Sequence, residues 1–226
     1  MNKSAILKLK TKKIYSIEGN IGAGKTTILN IIGQHFDDVT FVEEPVSQWQ
    51  NLGGCNLLEK FYQDPERWGF SFEFYSMLSK IKCLLKAAES EKNIVIIERS
   101  LLSNKIFIDI SKEMNKLNEL EFGMLMNTYN FYMENVYPML NGIIYLNTPV
   151  DLCVQRIIQR NRGEEVNVDK SYLFMLKEKF DELSDCSTIP TLVIDGNFDL
   201  ERDSKKVGRE IHNFMNPITS PKAIII

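Results

Sequence analysis

Residues 14–26 read IYSIEGNIGAGKT: a short apolar strand, then Gly19, then four residues, then Gly24-Lys25-Thr26. This satisfies G-x-x-x-x-G-K-[ST] without substitution. Three glycines in six positions clear away the side chains that would hold phosphate oxygens off the backbone N–H groups. Ile28, Leu29, Ile31 and Ile32 then carry a helix whose N-terminus faces the anion. Gly19, Asn20, Ile21, Gly22, Ala23, Gly24 and Thr27 form the cradle, Lys25 belongs on the outer phosphates, and Thr26 offers its hydroxyl to Mg²⁺. A glycine-rich turn can join any strand to any helix, but strand and helix together are the context this motif requires. Where the phosphate goes must be read elsewhere.

Further apolar runs at 39–42, 94–97, 143–146 and 192–194 are separated by segments with helical spacing, which predicts a parallel sheet covered by helices on both faces. At 226 residues, with 44% hydrophobic and 25% charged residues, the chain suits a single soluble α/β domain. A net charge of −3 without a basic block argues against an extended nucleic-acid footprint and for a small acceptor. Cys55, Cys83, Cys153 and Cys186 have no C-x-x-C spacing, so free thiols in a reducing, cytoplasmic setting are expected. The first 13 residues carry five lysines and no acid and read as a solubilising lead-in; lacking Arg, they are less like an organelle presequence. No apolar run approaches the ~20 residues of a membrane span.

In parallel sheets ligands gather at the carboxyl ends of the strands. The second strand is followed by EEPVSQW (43–49), where Glu43 and Glu44 suit a general base for an acceptor hydroxyl and Trp49 an apolar wall. A carboxylate there attracts a hydroxyl and repels a phosphate monoester, so a neutral acceptor is favoured. Residues 56–63 and 65–90 read as helices, the second opened by Asp64 as N-cap and Pro65 in the first turn. Along it Phe72, Glu73, Met77 and Lys80 share a face, with more aromatic surface than one core stripe needs. The third strand ends in Glu98-Arg99-Ser100: an acid placed for a metal contact and an arginine placed to neutralise phosphate oxygens.

Residues 100–137 read as two helices, the second rich in Met and Tyr and suited to core or a subunit interface. After the fourth strand, Thr148 is expected to cap a helix with Pro149 at its first position and Val150, Val154, Ile157 and Ile158 on its buried face. Arg156, Arg160 and Arg162, followed by Gly163, Glu164 and Glu165, read as a lid over phosphates spanning 156–168. A helix at 169–185, a strand ending Asp195-Gly196-Asn197 and a helix to about Met215 complete the domain, and a tail follows at 216–226.

Taken together, GNIGAGKTT, EEPVSQW, FYQDPERWGFSFEFY, ERS and RIIQRNRGEE, in this order and spacing, resemble the deoxyribonucleoside kinase family over roughly residues 14–200. The resemblance implies a P-loop fold with a five-stranded parallel sheet in the order 2-3-1-4-5 and an Arg-rich lid. It implies a homodimer, ATP or another nucleoside triphosphate with Mg²⁺, and phosphoryl transfer to the 5′-hydroxyl of a deoxynucleoside. Carried over by position, Glu44 contacts the 5′-hydroxyl, Glu98 is metal ligand or base, and Arg99 meets the reacting 5′ end. Tyr62 and Glu165 contact the 3′-hydroxyl, Trp49 and Phe72 the base, and Arg156, Arg160 and Arg162 the phosphates.

Four positions depart from the family pattern. The base-reading glutamine is Glu73 here, and the accompanying arginine and aspartate are Lys80 and Asn104. The aromatic expected beyond is Ile108, with Phe107 beside it. An ionised carboxylate only accepts hydrogen bonds, which suits guanine N1–H and N2–H and opposes the cytosine N3 and thymine O4, and Lys80 lies within helical reach to neutralise Glu73 or to donate to a purine. A purine is therefore expected. The competing readings are a nucleoside monophosphate kinase, which should carry arginines in place of Glu43 and Glu44, and a catalytically silent nucleotide-binding subunit.

Overall fold

A computed structural model describes residues 3–165 and 168–216. Residues 166 and 167 of the expected lid, residues 1 and 2 of the lead-in, and 217–226 of the tail lie outside the described residues. The elements run α1 Lys3–Leu9, β1 Lys13–Gly19, α2 Lys25–His35, β2 Val39–Val42, α3 Val46–Gln50, α4 Leu57–Gln63, α5 Pro65–Ala87, β3 Ile94–Glu98, α6 Leu101–Glu113, α7 Glu119–Asn135, β4 Gly142–Asn147, α8 Val150–Arg160, a 3₁₀ turn at Gly163–Glu165, α9 Lys170–Cys186, β5 Thr191–Asp195 and α10 Leu200–Met215. All strand pairings are parallel and the sheet order is β2-β3-β1-β4-β5, as the resemblance implies.

The strands are apolar on both faces because both faces are covered. Ile14, Val95, Ile97, Ile143 and Tyr145 pack with Leu84 of α5, Ile110 of α6, and Leu176 and Phe180 of α9. The alternate residues Tyr15, Ile17, Ile96, Ile144 and Leu146 pack with Ile28, Ile31 and Ile32 of α2 and with Val207, Ile211 and Met215 of α10. β1 sits between β3 and β4, with Ile17 level with Glu98 on one side and Ile144 on the other. The strand order reverses across it, so the loops after β1 and β3 open into one crevice.

Local caps account for most helix starts. Asp64 accepts from the Arg67 N–H with Pro65 in the first turn, and Asn118 and Glu121 form a reciprocal capping box. Thr148 departs from expectation. Fully buried, it donates its hydroxyl to the Ala23 carbonyl at 2.9 Å, and α8 begins after Pro149 without a side-chain cap. Tertiary packing has redirected this hydroxyl from its own helix to the phosphate loop.

The buried face of α8 also differs from the expected one. Val150, Cys153 and Ile157 form it, whereas Ile158 is 70% exposed. One residue past Ile157 turns the side chain about 100° around the helix, off the buried face. Two short helices were not foreseen. In α1, Ala5 and Leu9 join Leu84 and Ala87 in the core while Lys3 and Lys8 face outward, so much of the basic lead-in is packed structure. In α3, the turn after Pro45 carries Trp49 inward. No helix among the described residues is long and apolar enough to cross a membrane.

Candidate active site

The phosphate loop depends on two glycines with left-handed backbone, Gly22 at φ +75° and Gly24 at φ +104°. A Cβ at Gly22 would lie 2.5 Å from the Cys153 carbonyl oxygen of α8, so the loop and that helix fit only without it. Asn20 ties the loop to α9 through its amide N–H, which donates to the Leu173 carbonyl at 2.8 Å. Lys25 folds back so that Nζ donates to the Asn20 carbonyl at 2.9 Å. Burial, and then Arg99, lower its pKa to about 7 against the opposing pull of Glu98 and Glu44. Thr26 Oγ1 lies 3.4 Å from Glu98 Oε1, to which it donates.

At the end of β3 the chain turns sharply. Arg99 has φ +58°, an uncommon conformation for any residue with a Cβ, and surrounding contacts hold it there. Its N–H donates to the Ile17 carbonyl at 3.0 Å, extending the β1–β3 ladder. The next N–H, of Ser100, donates to Glu18 Oε1 at 2.9 Å, and Ser103 Oγ donates to the other oxygen of Glu18. The Arg99 guanidinium lies over Phe107 at 5.0 Å and Phe180 at 5.7 Å, and its buried Nη1 has no hydrogen-bond partner among the described residues. An unpaired buried donor of this kind suits an incoming anion.

Glu44 and Glu43 have separated. Glu43 is exposed, whereas Glu44 is ion-paired through Oε1 with Lys80 Nζ and through Oε2 with Arg99 Nε, both at 3.4 Å. Burial pushes the Glu44 carboxyl up, but Arg99, Lys80 and Lys25 together outweigh it and hold the group ionised below the usual carboxylate range.

Behind it, Trp49 Nε1 donates to Ser79 Oγ at 2.9 Å, Trp49 meets Phe72 edge-on at 5.3 Å, and Phe61 stacks on Phe72 at 4.5 Å. These rings wall a cavity of about 380 Å³ that runs from Lys25, Thr26 and Glu98 past Glu44 and Arg99 to Tyr62, Glu73 and Lys80. A space of that size, with charge at one end and aromatic rings at the other, accommodates a small polar molecule with a planar group.

A family model described as deoxynucleoside kinase matches residues 15–218. The chain belongs to the deoxynucleoside kinase family. It is 35% identical to the probable deoxycytidine kinase of fowlpox virus (strain NVSL), over 93% of this chain and 90% of that protein. It is 32% identical to the deoxycytidine kinase of Homo sapiens, over 92% and 93% respectively. With the mitochondrial deoxyguanosine kinase of Xenopus laevis it shares 28% identity over 94% and 91%. As a deoxynucleoside kinase the chain is an ATP-dependent phosphotransferase acting on small nucleoside and nucleotide substrates.

In this deoxynucleoside kinase most of the expected site residues converge on the one cavity. Ile21, Gly22, Lys25, Thr26, Glu44, Trp49, Tyr62, Phe72, Glu73, Lys80, Glu98, Arg99, Arg160, Arg162 and Glu165 all line it. Two do not. Asn104 sits one layer back, where it accepts from Lys80 at 3.1 Å and donates to Ser76 Oγ at 3.0 Å. Arg156 lies beneath the phosphate loop, bonding the Ala23 carbonyl at 2.6 Å and the Gly196 carbonyl at 2.9 Å.

Lys80 pairs with Glu44 rather than with Glu73, as helical reach had suggested. Two turns separate positions 73 and 80, and the strand-end carboxylate comes closer. Ile108 is fully buried in the core, and Phe107 takes the cavity wall instead. Arg160 and Arg162 both bond the buried Glu165, Arg162 at 2.8 Å, so the described lid residues neutralise one another in this state. Glu164 accepts from Gln50 at 2.9 Å and Asn56 at 2.7 Å, which draws the turn down onto α3 and α4.

Sequence reasoning missed Glu18 and Tyr172, and gave Glu164 no role beyond its place in the lid. Glu18 had a usable signal, an acid inside an otherwise apolar strand immediately before the phosphate loop. Tyr172, which lines the cavity from α9, had none in an ordinary amphipathic helix.

The residues present also suit the divalent ion that phosphoryl transfer implies. Thr26 and Glu98 bring two hard oxygen donors together beside the loop. Mg²⁺ takes one or two protein ligands and completes its shell with water and substrate phosphates. Among the described residues no cluster of three or more His, Cys, Asp or Glu is present.

Proposed function

We propose that Glu44 takes the proton from the 5′-hydroxyl of a bound deoxyribonucleoside as that oxygen attacks the γ-phosphorus of ATP. The observation that carries this is the ionised carboxylate of Glu44, anchored by Lys80 and Arg99 in the same cavity as Lys25. Two ion pairs fix its orientation, and positioning is most of what a phosphoryl transferase needs from its protein. Arg99 brings its unpartnered Nη1 to the oxygens that gain charge in transfer. The loop amides and Lys25 hold the donor phosphates. Arg160 and Arg162 would exchange Glu165 for phosphate oxygens when the donor arrives, leaving Glu165 and Tyr62 for the 3′-hydroxyl. Trp49 and Phe72 would flank the base.

Mg²⁺, when bound, would be held by Thr26 and Glu98 and would neutralise phosphate charge. The Thr26–Glu98 contact favours the ligand role for Glu98 and leaves proton abstraction to Glu44. Glu44 in the acceptor end also speaks for a neutral nucleoside over a monophosphate.

We assign the homodimer to the α7 face, where Leu120, Met124 and Phe131 are exposed at helical spacing, beside the exposed Phe74 of α5. A cytoplasmic setting accords with four free thiols. The deciding experiment incubates the protein with ATP, Mg²⁺ and each deoxynucleoside or its monophosphate in turn. ADP and a 5′-monophosphate should form with nucleosides, and ADP formed only with monophosphates would overturn the assignment.

A further inference from the structure

The base end of the cavity holds a carboxyl group in an unusual setting. Glu73 is 1% exposed, yet no ion pair reaches it among the described residues. The buried cation of the same helix, Lys80, directs Nζ to Glu44 and to Asn104 Oδ1 instead. Because Lys80 can only donate, Asn104 must present its oxygen there and its NH₂ to the other side. That NH₂ bonds Ser76 Oγ at 3.0 Å and reaches Glu73 Oε2 only at 3.4 Å. This long contact is the one hydrogen bond that Glu73 receives among the described residues.

The charged and titratable groups around Glu73 are few. Lys80 is on its own helix, Glu44 follows β2, Arg99 follows β3, and Tyr172 faces it from α9. Tyr62 of α4 lines the same cavity, while α7 meets α5 at Met77 and Ile81, among Tyr129 and Tyr132. A buried carboxylate with one long hydrogen bond and no ion pair among the described residues costs far more than the neutral acid.

Resting on the assignment of a deoxynucleoside as acceptor, we propose that Glu73 selects the base by its own ionisation. The neutral acid takes a base that presents an acceptor beside a donor, as cytosine does, and the carboxylate takes guanine. As a neutral acid, Glu73 donates its O–H to cytosine N3 and accepts from the exocyclic amine. As an anion it accepts from guanine N1–H and N2–H. Burial pushes its pKa up to about 7, against the downward pull of Lys80, Asn104 and Arg99, so both forms are populated near neutrality. The purine expected from an ionised Glu73 is then one half of the behaviour.

The test is a competition between deoxycytidine and deoxyguanosine in one mixture with ATP, read as the ratio of their monophosphates between about pH 6 and pH 8.5. Ionisations of Glu44, the donor and the metal site act on both substrates and cancel in the ratio. One substrate needs one proton more than the other, so the cytosine-to-guanine ratio should fall about tenfold per pH unit. Glu73→Gln, whose amide keeps one donor and one acceptor at every pH, should flatten the slope.

Calorimetry of the wild-type protein near pH 7, in two buffers of different ionisation enthalpy, gives a second readout. Proton uptake is expected with deoxycytidine and proton release with deoxyguanosine. A flat ratio with brisk turnover, or the same slope in Glu73→Gln, would overturn this inference while leaving the kinase assignment standing. No ADP with any deoxynucleoside would remove both.

Discussion

Replacing Lys80 with methionine removes one of the two cations that hold Glu44 while keeping the length of the side chain. The side chains of Lys80 and Glu44 are 9% and 17% exposed, so solvent screens the pair only partly. Two unit charges 3.4 Å apart interact by about 5 kcal/mol at an effective dielectric of about 20. Removing one partner of a buried pair costs about 3–5 kcal/mol when the other is left uncompensated.

Glu44 is not left uncompensated, because Arg99 remains 3.4 Å from Oε2. The expected loss is therefore about 1.5–3 kcal/mol, equivalent to about one to two pKa units on Glu44. The folded carboxyl lies below its ordinary value, so its ionised form adds stability above the unfolded pKa, and this is lost as pH falls through the folded one. Losing Lys80 moves the folded value up. In a pH profile of kcat/KM measured beside wild type, the acid limb should move to higher pH by about one to two units, with Lys80→Arg largely restoring it. Donor phosphate ionisation is common to both proteins and does not alter the difference. A Lys80→Met protein that melts cooperatively but whose acid limb coincides with that of wild type would refute the electrostatic role given to this pair.

Three further outcomes are expected. Glu44→Gln should lower kcat by roughly 10²- to 10⁴-fold while ATP still protects the protein against thermal unfolding; near-normal turnover would remove Glu44 from the mechanism. Gly22→Ala places a Cβ 2.5 Å from a backbone oxygen at φ +75°. It should cost roughly 2 kcal/mol or more, seen as a fall in Tm of about 4–8 °C and weakened ATP binding, and an unshifted Tm would contradict the loop geometry. Glu164→Ala removes the acceptor for Gln50 and Asn56. At about 0.5–1.5 kcal/mol for the lost bonds, it should raise the nucleoside KM roughly two- to tenfold and leave that of ATP unchanged; the opposite pattern would place the turn over the donor.

Much of the molecule was legible because its signals are local. The five strands announce themselves as apolar runs, and the phosphate loop as glycines where backbone must meet backbone. Asp64 with Pro65 marks the start of α5 for a similar reason, since a cap is made within a few residues. The site residues that converge do so because parallel strands deliver their following residues to one edge. Where reading failed, a side chain had chosen a distant partner over a near one. Thr148 left its own helix for Ala23, and Lys80 left Glu73 for Glu44. Ile158 and Cys153 exchanged expected burial because Cys153 packs with Ala23, Ile28 and Leu146, a partnership that hydrophobicity along α8 alone did not locate.

Alone, the sequence determined the fold class, the phosphate loop and the set of acids and bases available for chemistry, since these follow from backbone constraints and periodicity that each segment carries within itself. Only the tertiary structure decided that Glu44 rather than Glu43 meets Lys80 and Arg99, that Glu18 clamps the turn bearing Arg99, and that Glu73 is buried with no ion pair among the described residues. Charge and hydrogen-bond partners are shared out among residues far apart in the chain, and the energy of each group depends on who stands within a few ångströms and how much water remains.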